Sequence, residues 1–240
     1  MEMKLSKDYT VPVSFCDNEA KLSFTGIFNI FMDLATQHAQ MLGVGFDTLK
    51  EKNCFWVAAK SKITINRRPG MLENVIVATW PEKPGNIRYN RYYAISDDSG
   101  NLVEGKTEWT IIDAESGRPR KSSDVYPGDL EHLCDKVCDT SFARISADFT
   151  ECEEIASHKV ESQDIDLSVH MNNVAYIRAV LCAFTTEEID AMDIKEIEVA
   201  YRLQCFEGEV LSIRRRNAEK GVEIGIIKED GTTAAVLKLS

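Results

Sequence analysis

Long apolar runs are missing from this 240-residue chain; none approaches the roughly 20 residues that a helix needs to cross a bilayer. The opening "MEMKLSKDYTVPVSF" has neither the apolar heart of a secretory signal nor the Arg- and Ser-rich composition of a transit sequence. A chain that stays in the cytoplasm is therefore expected. Paired cysteines are missing as well. The seven cysteines are an odd number without a CxxC, and the nearest pair, Cys134 and Cys138, has no matching His or Cys pair downstream. That argues against a structural zinc site and for reduced thiols. Histidine is scarce, with four scattered residues that give no metal-ligand spacing, so neither metal nor cofactor is expected. An excess of basic charge is absent too. The net charge of −11 argues against nucleic acid as a partner and leaves any anion to be met by local clusters such as "NRRPG" (66–70) and "RRR" (214–216). What remains, 44% hydrophobic and 28% charged, is ordinary soluble globular composition, in a length sufficient to bury most of its apolar surface.

One pattern occurs twice. After Thr25, "GIFNIFMDLATQHAQMLG" places Ile27, Ile30, Phe31, Leu34, Ala35, Met41 and Leu42 at helical spacing, with Thr25 as N-cap and Gly43 as stop. A second helix opens at Asn172 or Asn173 and would set Val174, Ile177, Leu181 and Phe184 on one face. Strand-like segments follow each helix. "FWVAAKSKITI", "NVIVATW" and "IRYNRYYAISD" come after the first, and "IKEIEVAYRL", "EVLSIRRR" and "VEIGIIKED" after the second. Turn formers such as "DDSGN" and "EDGT" punctuate them. "INRRPGMLENV" (65–75) even echoes "VAYRLQCFEGEV" (199–210). Each half thus reads as a short strand, one long helix and an antiparallel meander that buries one face of each. The class is α+β, and the chain is an internal pseudo-dimer, with further pairing into a homodimer left open. Residues 1–125 form the first unit, the turn-rich stretch 126–148 a crossover linker and 149–240 the second unit.

At "DIDLSVHMNNVAYI" (164–177) acids, a serine, a histidine and two asparagines crowd the entrance to the second helix. Together with "ATQHAQMLG", "FWVAAKSKITINRRPG", "VATWPE", "TEWTIIDAESGRPRK" and "VAYRLQC", this stretch makes nearly the whole chain resemble the acyl-acyl-carrier-protein thioesterase family, built from two fused hot-dog units. The DxDxxxHxNN pattern is shared with a wider group of hot-dog acyl-thioester hydrolases. The first-half match and the fused architecture favour the carrier-protein branch. The resemblance implies a tandem double hot-dog, each half a long central helix wrapped by an antiparallel sheet. It also implies hydrolysis of fatty acyl-[acyl-carrier-protein] thioesters, and as partner an acyl carrier protein bearing a phosphopantetheine-linked acyl chain. Two positions depart from the family's pattern. Ser168 stands where asparagine is common, and Gln204 where glutamate precedes the cysteine of the "YR…EC" segment. Hydrogen bonding survives both changes, whereas a glutamate base at 204 is excluded.

Asp166, Ser168 and His170 alternate, so an extended segment would point all three the same way. A thioester hydrolase needs a base or nucleophile, a group to steer it and donors for the oxyanion. By the resemblance, Asp166 is the central carboxylate and His170 positions the reacting groups and shuttles the proton. Ser168 and Gln204 hold water or the carboxylate, and Asn172 fixes the corner. The structural alternative is that Asp166 and Asn172 only cap a helix and His170 sits idle at the surface. Aligning Thr25 with Asn172 puts Glu19, Lys21 and Ser23 opposite Asp166, Ser168 and His170, so the constellation is expected in the second copy only.

Cys205 could complete a Cys–His–Asn set, although a buried cysteine is the commoner fate. His38 reads as a packed core residue. The resemblance places the acyl-chain pocket in the first half, with Phe31, Leu34 and Trp56 as candidates. Arg88, Arg91 and the two basic clusters could meet the acidic carrier or its phosphate, or be solvated strand ends. A hot-dog acyl-CoA thioesterase would use the same residues. A dehydratase fits the "HMNN" context poorly, and a degenerate acyl-binding protein is the non-enzymatic alternative.

Overall fold

The computed structural model describes residues 3–126 and 132–240. The chain divides into two compact units, Met1–Thr140 and Ser141–Ser240. The division falls within the 126–148 stretch expected as a linker, of which 127–131 lie outside the described residues.

The first unit contains β1 (Leu5–Thr10), α1 (Phe24–Met41), α2 (Phe46–Glu51), β2 (Cys54–Ile65), β3 (Asn74–Pro81), β4 (Tyr89–Asp97) and β5 (Gly100–Asp113). All pairings are antiparallel, in the order β1-β3-β4-β5-β2. The cap of α1 is Ser23, not Thr25: the Ser23 hydroxyl accepts from the Gly26 N–H at 3.0 Å, while Thr25 is already helical. Ile27, Ile30, Phe31, Leu34, Ala35 and Leu42 are buried, as the spacing predicts, and so are Phe28, His38 and Ala39. Met41 is a correction, since it is 54% exposed on the last turn. Gly43 ends the helix at φ 72°, a conformation that costs a residue without Cβ nothing. Phe31 stacks on Tyr93 of β4 with ring centroids 4.7 Å apart. Gly105 of β5 makes the approach feasible, because a Cβ there would come within 2.6 Å of the Phe31 ring.

The second unit contains β6 (Glu153–Lys159), α3 (Asn173–Leu181), α4 (Thr186–Ala191), β7 (Glu196–Tyr201), β8 (Val210–Asn217), β9 (Val222–Ile227) and β10 (Thr233–Leu239). Its antiparallel order, β6-β8-β9-β10-β7, repeats that of the first unit strand for strand. The helices differ. Where α1 has 18 residues, α3 has 9 and stops before Phe184, so the expected long second helix is corrected to a short one. A capping box explains the break. Thr185 and Glu188 each accept the other's backbone N–H, at 3.2 and 2.7 Å, and so start α4 as a separate helix.

Candidate functional site

The entrance to α3 is built from a buried anchor outward. Asp164 accepts hydrogen bonds from Arg178 of α3 (2.5 Å) and from the Glu161 N–H (3.0 Å), and lies 2.9 Å from Nε2 of His158 on β6. Its own carbonyl accepts the Asn172 N–H at 2.7 Å. Burial pushes the Asp164 carboxyl up, but the Glu161 N–H, Arg178 and His158 outweigh it and hold it below the ordinary carboxylate range. A depressed folded-state value means that this carboxylate stabilises the fold above its unfolded value. The contribution is then lost as pH falls through the folded one. Asp164→Asn is expected to cost about 1–3 kcal/mol at neutral pH, with Arg178 half-exposed and screened. The gap to the parent protein should close on acidification, as thermal unfolding across pH will show. The first aspartate of the DxD pattern is thus a structural clamp, with His158 as its partner. Only the sequence closeness of His158 and Asp164 could have suggested it.

Beyond Asp164 the backbone does not run extended as expected. Ile165 pairs with Met171, the Asp166 N–H donates to the His170 carbonyl (3.1 Å) and the Val169 N–H to the Asp166 carbonyl (3.0 Å), which closes a tight turn with Val169 at φ 65°. The turn, rather than strand alternation, brings the three side chains together. Ser168 donates its N–H to Asp166 Oδ1 at 2.8 Å and its hydroxyl to the same oxygen, and that hydroxyl lies 2.6 Å from Nδ1 of His170. The His170 ring stands edge-on to Phe206 at 5.9 Å. Asn172 is the N-cap of α3, its Oδ1 accepting from Val174 N at 2.7 Å. Gln204 is less engaged than expected. Its carbonyl accepts from Lys228 at 2.9 Å, while its exposed side chain has no hydrogen bond among the described residues.

The first unit folds the same loop around Asp17. The Asp17 N–H donates to Lys21 O (2.9 Å), Ala20 N–H to Asp17 O (3.0 Å) and Glu19 N–H to Asp17 Oδ1 (3.0 Å), with Ala20 at φ 56°. The structural counterparts of Asp166, Ser168, His170 and Asn172 are therefore Asp17, Glu19, Lys21 and Ser23, which corrects the alignment on Thr25. The signal was in the sequence: an aspartate six residues ahead of a cap, in both copies. Asp166 is thus shared as a turn-former, while the hydroxyl and the imidazole belong to the second copy alone.

The segments facing the two loops also match. Leu22 N–H donates to Pro69 O and Met171 N–H to Cys205 O, both at 2.8 Å, which equates Arg68 with Gln204. Arg68 pairs with Asp17 and, at 3.1 Å, with Glu19. In the second copy that position is Gln204, and Asp166 has no ion pair among the described residues. Apolar side chains differ in the same way. Leu167 and Val169 are 87% and 72% exposed, and Leu203 and Phe206 are exposed too, where the first copy has Asn18, Ala20, Arg67 and Gly70.

Other candidates fall elsewhere. Cys205 is fully buried, its thiol is pushed up by burial, and its N–H donates to the Tyr176 hydroxyl at 3.0 Å, which fits a core residue better than a nucleophile. Cys205→Ala is expected to keep nearly full turnover and to lose about 1 kcal/mol of stability, read by thiol release and thermal unfolding. Phe31 and Leu34 are buried on α1. Trp56 donates its indole N–H to Val44 O at 2.8 Å and packs edge-on to Tyr89 at 4.9 Å. Residues that the sequence did not single out extend this aromatic group, with Tyr89 stacking on Tyr126 at 5.7 Å and Trp109 6.3 Å from Trp56. His38 is buried as expected, its Nδ1 3.0 Å from Arg91. Arg91 is itself buried, while Arg67, Arg88 and Arg216 pair with acids of their own unit, Arg88 with 66% of its side chain exposed.

A helix on a five-stranded antiparallel sheet, repeated in one α+β chain, is the tandem hot-dog arrangement. Residues 2–127 match the acyl-ACP thioesterase N-terminal domain and residues 148–236 the acyl-ACP thioesterase C-terminal domain. The chain belongs to the acyl-ACP thioesterase family. It is 27% identical over 202 residues to the chloroplastic oleoyl-acyl carrier protein thioesterase of Coriandrum sativum, covering 77% of this chain and 55% of the relative. The chain thus spans about half the length of the plant relatives it matches. In fold it is similar to an acyl-ACP thioesterase from Bacteroides thetaiotaomicron (TM-score 0.82, 22% identity, 99% of this chain and 97% of that one). It is also similar to the 12:0-ACP thioesterase from Umbellularia californica (TM-score 0.84, 14% identity, 100% and 97%).

Proposed function

We propose that this chain hydrolyses fatty acyl-[acyl-carrier-protein] thioesters to free fatty acid and carrier-protein thiol, the step that ends fatty acid synthesis. The observation that carries the reading is the contact of Asp166, Ser168 and His170 in the copy whose aspartate, among the described residues, has no arginine partner. In this reading the Asp166 carboxylate drives the attack, His170 carries the proton to the leaving sulfur and Asn172 holds the corner as a helix cap. Ser168 holds the carboxylate, and Gln204 stands at the rim to hold water.

Residues 1–125 form the acyl-binding unit and 149–240 the catalytic unit, joined by 126–148. Phe31, Leu34 and Trp56 contact the chain of the substrate. The partner is an acyl carrier protein, a reading supported by the family match and by the exposed Leu167, Val169, Leu203 and Phe206 beside the loop. The compartment we infer is a reducing cytoplasm, in which the seven cysteines would stay free thiols. Among the described residues no helix is long and apolar enough to cross a membrane.

Thiol release across a panel of acyl-carrier-protein and coenzyme A thioesters tests the reading. Turnover that favours carrier-protein substrates supports it, and binding without release of thiol refutes it. A single turnover in labelled water separates two routes. Label in the Asp166 side chain marks attack by the carboxylate itself, and its absence counts against that route.

A further inference from the structure

Hydroxyl geometry in the second-copy loop determines more than the choice of carboxylate. A serine hydroxyl carries one proton and can accept elsewhere, whereas a carboxylate oxygen only accepts. The Ser168 hydroxyl is in hydrogen-bond contact with Asp166 Oδ1, so its proton is committed there. Its remaining contact, 2.6 Å to Nδ1 of His170, must then be a hydrogen bond in which the ring N–H donates. Asp166 Oδ1 accepts from the Ser168 N–H as well, at 2.8 Å, which keeps that oxygen and the hydroxyl in register.

We infer that Ser168 is a positioning residue that holds the neutral His170 ring in its Nδ1–H tautomer and leaves the Nε2 lone pair free as the base. The tautomer of a histidine is set by the hydrogen bond that its other nitrogen makes. Asp166 then acts through Ser168. Its charge reaches the imidazole by way of the hydroxyl and supports the imidazolium that forms when Nε2 takes a proton. Resting on the thioesterase reading and on its direct-water route, in which the Asp166 charge drives the attack through Ser168 and His170, the step balances as follows. Nε2 removes a proton from water as the water oxygen bonds to the thioester carbon. The carbon–sulfur bond breaks, and the proton on Nε2 passes to the sulfur. One thioester and one water give one carboxylic acid and one thiol. The first copy has Glu19 and Lys21 at the two positions, and the same turn there can hold no such chain.

Two readouts on the full chain test the inference. Long-range proton–nitrogen correlation of the His170 ring, at a pH where it is neutral, should show a protonated Nδ1 and an unprotonated Nε2. Ser168→Ala should shift the proton toward Nε2 and lower kcat about tenfold or more with little change in KM, while Ser168→Thr, which keeps a hydroxyl, should preserve both. A proton on Nε2 in the parent protein overturns the inference, as does an unchanged tautomer and kcat in Ser168→Ala. The spectroscopic arm needs no substrate. The expected tautomer in a protein that releases no thiol from any thioester would sink the hydrolase reading and leave the tautomer assignment standing.

Discussion

Asp166→Asn is expected to lower kcat by about 10²- to 10⁴-fold, the range that a positioned acid–base group contributes, without unfolding the chain. The loop itself makes this a clean test. Oδ1 of Asp166 accepts both the Ser168 N–H and the Ser168 hydroxyl, and an asparagine carbonyl oxygen can accept the same two bonds. The turn closed between the Asp166 and His170 backbones involves no side chain and should persist. Only the charge is removed. Circular dichroism and thermal unfolding should match the parent protein while thiol release from acyl-carrier-protein thioesters collapses. Turnover that survives would show that Asp166 serves the second copy as Asp17 serves the first, as a turn-former.

Gln204→Arg should quench the site from outside, with about a 10- to 100-fold loss of kcat that eases as salt is raised. The first copy shows why. Arg68 occupies the equivalent position and pairs with both Asp17 and Glu19, with only 14% of its side chain exposed. The two sites share a scaffold. Glu73 Oε2 accepts the Gly70 N–H at 2.8 Å, as Glu209 Oε2 accepts the Phe206 N–H at 3.1 Å, and Leu72 and Gly208 both take positive φ, 62° and 89°. A guanidinium at 204 would therefore start from the backbone position that lets Arg68 reach its aspartate. The reciprocal change, Arg68→Gln, should cost about 1–3 kcal/mol and leave turnover unchanged. Full activity in Gln204→Arg would show that position 204 does not look onto Asp166 as position 68 looks onto Asp17.

These two experiments turn on features that differ in how far the sequence announced them. The duplicated α+β plan was legible because α1 shows helical spacing from Ile27 to Leu34 and the strands alternate, and both signals are local. The site loop was legible as a cluster through its resemblance to known sequences, but its geometry was not. Period-two spacing predicts an extended segment, and Val169 at φ 65° reverses the chain instead. A non-glycine residue in that region gives no mark in composition. Alignment of the two copies by their caps is ambiguous by two residues, because Thr25 and Ser23 are both good caps. Only the bond from Gly26 N–H to the Ser23 hydroxyl separates them.

By itself the sequence determined the class of fold, the repeat, the exclusion of a membrane-crossing helix and the residues from which a site could be assembled, because periodicity, capping chemistry and charge are written locally. Tertiary structure decided which of those residues meet. It sent Asp164 to a buried clamp with Arg178 and His158, joined Asp166 to His170 through one serine hydroxyl, and gave Asp17 an arginine that Asp166 lacks. The Arg68–Asp17 contact joins groups 51 residues apart in the chain. Such a contact depends on how strands register and where a turn closes, and those are settled only when the whole sheet has formed.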